Sequence, residues 1–82
     1  MTKSIKLSSK QKEIIAMMRR GWKLWTPVGP YNKVRLIKKR EREFDADLFV
    51  SLKNIHGLIE HDYCGWGAIR YRLTQLGKEV RL

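Results

Sequence analysis

The sequence predicts a one-domain α+β protein with the element order α-β-β-α-β-β-α. Three observations lead to it. A chain of 82 residues has room for one core and not for two. Two stretches carry apolar residues at helical spacing, and each ends on a glycine. Two further stretches are β-prone runs that flank clusters of turn residues. Hydrophobic residues make up 43% of the chain, enough for a core, and charged residues make up 32%, enough to cover it.

Residues 1–6 are polar and are expected to be disordered. Helix 1 is expected over 8–20. Ser8 caps its free amides, with Gln11 as the capping-box partner. Ile14, Ile15, Met17 and Met18 form its apolar face, and Gly21 stops it after Arg19 and Arg20. The stretch WKLWTPVGPYNKVRLIKK then reads as a hairpin with a loop longer than two residues. Its two prolines are expected near the turn, where no ladder donor is needed. Trp22 and Trp25 are assigned to its core side. Residues 38–43 read as a charged connection. Asp45 reads as the N-cap of helix 2 over 46–56, with Leu48, Phe49, Leu52 and Ile55 at helical spacing and Gly57 as the stop. A second hairpin turns at Gly65-Trp66-Gly67. On its returning strand Ile69, Tyr71 and Leu73 point one way, while Ala68, Arg70 and Arg72 point the other. Thr74 reads as the cap of a short last helix over 75–81.

Charge bounds the function. Eighteen Lys and Arg against eight Asp and Glu give a net charge of +10. An excess of this size repels itself, and it is useful where the partner is a polyanion such as nucleic acid or an acidic protein. Cys64 is the single cysteine, so no intrachain disulfide can form, which fits a reducing compartment. The opening MTKSIKLSSKQKEII has no apolar signal-peptide core, and no run approaches the roughly 20 apolar residues that span a bilayer. A cytoplasmic protein without membrane contact is expected, as a monomer or a weak homodimer.

The second half of the chain resembles the winged-helix DNA-binding domains of the MarR and PadR type. The resemblance rests on Leu52, Gly57-Leu58-Ile59, Arg70-Tyr71-Arg72, Leu73-Thr74 and Gly77, with Leu7-Ser8-Ser9-Lys10-Gln11 fitting the family's opening helix. The chain also resembles small phage and mobile-element proteins that open on KQKEII and end on YRLT-x-x-GKE. What the resemblance implies is a winged helix-like fold and binding of double-stranded DNA in transcriptional regulation, with the second hairpin as the wing. The stretch 22–39 departs from the pattern, because it reads as a hairpin where the family has a helix. The carboxylates of Asp45 and Asp47 also sit at the start of the implied recognition helix, where they repel phosphate.

The candidate nucleic-acid contacts follow from alternation and charge. Arg70 and Arg72 project from one strand, Lys33 and Arg35 from another, and Lys38, Lys39 and Arg40 follow directly. Lys53 and Asn54 are the candidates for base edges on helix 2. Trp66 is the candidate tip contact. An alternative reading is a protein-interaction module, with Trp66 as anchor and the basic face selecting an acidic partner. A third is single-stranded DNA or RNA, with Trp66 and Tyr63 stacking on bases. His56, His61, Asp62 and Cys64 match no common zinc spacing, and no nucleophile, orienting group and cleft coincide. The sequence therefore points to a protein that is not an enzyme and needs no cofactor or metal.

Overall fold

The structure, a computed structural model, describes residues 6–65 and 67–81. Helix α1 runs Ser9–Arg19, and the capping box at its start is complete. The Ser8 hydroxyl accepts from the Gln11 amide, and the Gln11 side chain accepts from the Ser8 amide. Gly21 has φ +102°, a left-handed conformation that lets the chain leave the helix without a Cβ clash.

The chain then forms β1 (Lys23–Pro27), β2 (Lys33–Ile37) and β3 (Glu41–Asp45) as a meander. Helix α2 (Ala46–Val50) continues directly into a π-helical segment, Ser51–Ile55, and Gly57 ends it at φ +64°. Strands β4 (Ile59–Gly65) and β5 (Ala68–Leu73) form the second hairpin, and α3 (Gln75–Glu79) closes the described chain. Together the strands make one antiparallel sheet in the order β3-β2-β1-β5-β4. The second hairpin is part of this sheet, because β5 pairs with β1 as well as with β4. Trp66 at its turn lies outside the described residues.

The fold is α+β, as expected, but the order differs by one strand. Residues 41–45 form β3 where a charged connection was expected. The period-2 signal is reduced there to one buried residue, Phe44. Arg42 takes the other inward position, pairing with Glu13 on α1 and reaching the Met17 sulfur. The remaining residues of the strand are exposed carboxylates on a sheet edge, a common protection against edge-to-edge pairing. Asp45 stands at the N-cap position of α2 but makes no capping bond; its carboxylate pairs with Lys33 across the strand pair.

Alternation divides the sheet into two faces. Leu24, Val34, Leu36, Phe44, Ile59, Tyr71 and Leu73 are buried beneath the helices, with Ile14 and Ile15 of α1 and Phe49 and Leu52 of the α2 region. Phe49 meets Tyr71 edge-on with ring centroids 4.6 Å apart. Each fully buried aliphatic or aromatic side chain contributes about 1.5–3 kcal/mol, so this layer sets the stability. Trp25 departs from its expected place. Leu24 and Thr26 occupy the inward positions on either side of it, so the indole faces out on the open side of the sheet, half-buried.

Helix α3 is short, yet it is held at both ends. The Thr74 hydroxyl accepts from the Gly77 amide and donates to the Gly57 carbonyl. Arg19 donates to the carbonyls of Gly77 and Val80, tying the end of α1 to α3.

Candidate nucleic-acid interface

The structure separates the nine predicted contact residues into three places. Lys33, Arg35, Arg70 and Arg72 share the open face of the sheet, as their alternation implied. Lys38, Lys39 and Arg40 form the exposed turn between β2 and β3, closed by the Lys38 amide bonding to the Arg40 carbonyl. Lys53 and Asn54 are exposed on the helical layer, where the Lys53 ammonium sits 5.3 Å from the Tyr71 ring centroid. The nine do not form one patch.

The open face is not cationic overall. Its cations are Lys23, Lys33, Arg35, Arg70 and Arg72, and its carboxylates are Glu41, Glu43, Asp45, Glu60 and Asp62. The acids lie on the two edge strands and the bases on the three inner ones. Four cations are paired to carboxylates: Lys33 to Asp45, Arg35 to Glu41 at 3.0 Å, Arg72 to Glu60 at 2.8 Å and Arg70 to Asp62 at 2.9 Å. The Asp45 hydrogen bond and then the Asp45 charge raise the Lys33 pKa above its ordinary 10.5. Arg70 is the most constrained of the set. Its guanidinium lies 5.8 Å from the Trp25 ring centroid and 5.4 Å from that of Tyr63, between the two rings.

Five of the eight carboxylates in the chain therefore sit on one neutral face, and the +10 resides elsewhere. Much of it gathers at one end of the molecule. Lys38 donates to the Arg20 carbonyl at 2.9 Å, bringing the β2–β3 turn against the end of α1. Arg19 brings in α3 through its bonds to Gly77 and Val80. Lys23 and Lys78 line a cleft of about 180 Å³ between the end of α1, the second hairpin and α3, together with Trp22, Arg72 and Asp62. Arg19, Arg20, Lys38, Lys39, Arg40 and Lys78 thus form a basic pole, and among the described residues none of the six pairs with a carboxylate. Lys38 and Arg19 occupy helix-end carbonyls, which offsets the negative end of each helix and orders the pole. Arg20, Lys39, Arg40 and Lys78 remain exposed with their donors toward solvent.

Sequence reasoning found the turn and missed Arg19, Arg20, Lys23 and Lys78 as its neighbours. Arg19 and Arg20 read as helix-end residues, and nothing local places α3 beside α1. The only sequence signal was density, a pair of arginines after one helix and a Lys-Lys-Arg run after a hairpin.

Among the described residues no group of three His, Cys, Asp or Glu could hold a metal ion, and no helix is long and apolar enough to cross a membrane. Cys64 is exposed and free. No protein-family model matches the chain, and no curated protein or solved structure matches it either.

Proposed function

We propose that the protein binds nucleic acid, with double-stranded DNA as its reference partner, by gripping the phosphate backbone at the basic pole. The observation that carries the reading is charge segregation: four of the five sheet cations are paired with carboxylates, and among the described residues the pole cations are not. Unmatched guanidinium and ammonium groups on adjacent rigid elements suit a run of phosphates. Binding of this kind is electrostatic and largely sequence-independent, and it releases counterions from the backbone. Regulation of transcription, implied by the winged-helix resemblance, would need base contacts in addition, and Lys53 and Asn54 lie on another layer of the molecule.

The test is fluorescence anisotropy with a random-sequence duplex over a range of salt concentrations. Affinity should fall steeply as salt rises. The double variant Lys39→Ala with Arg40→Ala should bind more weakly, and its slope of log K against log salt should be shallower by about 1.8, since each phosphate contact contributes about 0.9. A duplex affinity that does not respond to salt, or a slope unchanged in the double variant, refutes the pole as the interface.

A further inference from the structure

The geometry points to a second, adjoining element of the same interface: a slot beside Trp25 that takes one unpaired nucleobase. This rests on the nucleic-acid reading and extends it from phosphate to base. Trp25 stands near the middle of the open face. Arg70 lies toward the neighbouring β5 and holds one side of the indole. Beside it the sheet forms a concavity of about 350 Å³, bounded by Trp25, Thr26 and Pro27 on β1, Arg35 and Ile37 on β2, and Gly67-Ala68 at the start of β5. Its walls are flat or aliphatic apart from Thr26 and Arg35, and the Arg35 guanidinium is held by Glu41.

That set of groups suits a flat heteroaromatic. A base stacks on an indole at little cost in specificity, because every base has a π-face. A guanidinium at the edge can donate to the carbonyl oxygens or ring nitrogens of a base. An open antiparallel sheet displaying an aromatic is a surface on which unstacked bases are accommodated. A paired base inside a duplex cannot enter, because its faces are already covered. Charge argues for a nucleobase over an acidic side chain: a base enters the slot uncharged and leaves its phosphate outside, toward Lys23 and Lys38, whereas a carboxylate would itself be carried in beside Glu41.

The slot is continuous with the pole. Ile37 on its wall is followed directly by Lys38, and Lys23 lies two residues before Trp25 on the same strand. Two residues of strand span about 6.7 Å, so a strand whose phosphate rests near Lys23 brings its base within reach of Trp25. The preferred ligand is therefore a single strand, or a duplex with an unpaired segment.

The experiment compares a short oligothymidylate with an abasic deoxyribose-phosphate strand of the same length, using the full chain. The two carry the same phosphates and differ in bases. The oligothymidylate should bind about tenfold more tightly, the gain expected for one stacked base. Trp25→Leu and Ala68→Leu should each abolish that advantage while leaving affinity for the abasic strand unchanged. The second variant keeps Trp25 and fills the slot, and the wild-type comparison needs no variant at all. Equal affinity of wild-type protein for the two strands overturns the slot while leaving the pole standing. An advantage that survives in both variants also overturns it. Failure of both strands to bind overturns the pole and the slot together.

Discussion

Replacing Gly77 by alanine sets two effects of opposite sign against each other. In a helix interior alanine is favoured over glycine by about 1 kcal/mol, so propensity alone predicts a more stable protein. The structure predicts the reverse. A Cβ at Gly77 would overlap the Leu58 carbonyl oxygen and stand 3.1 Å from its carbon and 3.2 Å from Leu73 Cδ2. That oxygen cannot retreat freely, because it also accepts the Thr74 amide at 2.9 Å. Forcing a methyl into a filled site costs about 1–3 kcal/mol, and contact with backbone lies at the upper end of that range. After the propensity gain, a net loss of about 1–2 kcal/mol remains. For a domain of this size that lowers Tm by about 4–16 °C. Thermal denaturation followed by circular dichroism measures it. An unchanged or raised Tm would refute the close approach. The same contact explains why Thr74 and Gly77 occur together: the threonine caps the helix and the glycine lets it lie against β4's approach.

Two further predictions concern charge. Asp62→Asn removes a carboxylate from the cleft at the pole and releases Arg70 and Arg72 from it. Duplex affinity should rise at low salt, and the slope against log salt should steepen by up to about one contact; weaker binding in anisotropy would contradict the charge argument. The Lys33 ammonium, held above pKa 10.5 first by its hydrogen bond to Asp45 and then by that charge, should deprotonate later than in an Asp45→Asn variant. Since the raised value belongs to the folded state, the pair's contribution is complete below pH 10.5 and is lost as pH rises through the folded value. An NMR titration giving the same midpoint in both proteins would rule the pair out.

The local elements were largely legible in the sequence, and their neighbours were not. The Ser8–Gln11 capping box, the Thr74 cap, the glycine stops and the outward alternation of Arg70 and Arg72 all depend on residues within a few positions of one another, and all are present. Strand β3 was hidden because pairing, not propensity, makes it. Its one core residue and its row of carboxylates have meaning only beside Lys33 and Arg35. Trp25 was misplaced because an aromatic beside Leu24 reads as core until register assigns the inward positions. The candidate site was legible as a charge excess and not as a place. The partners that neutralise Arg70 and Arg72 come from the facing strand, and those that join Arg20 to Lys38 lie 18 residues apart. The pairing of Glu60 with Arg72 was the one readable hint, since a hairpin sets them opposite.

The sheet cations are not equivalent reserves for a polyanion. Exposed ion pairs are worth about 0–1 kcal/mol, so a phosphate can replace a carboxylate at little cost where the cation is well exposed. Arg72 meets that condition, with a side chain 60% exposed and a partner, Glu60, at 45%. Arg72 also lines the cleft of the pole with Lys23 and Lys78, so on the proposed mode of binding a backbone at those lysines would pass within its reach. Arg70 does not meet it. Its side chain is 32% exposed, Asp62 holds it from one direction, and the Trp25 and Tyr63 ring centroids lie 5.8 and 5.4 Å from its guanidinium. Arg72 is thus able to change partners, whereas Arg70 is held in place beside Trp25. The two arginines look alike in RYR, and their surroundings give them different work.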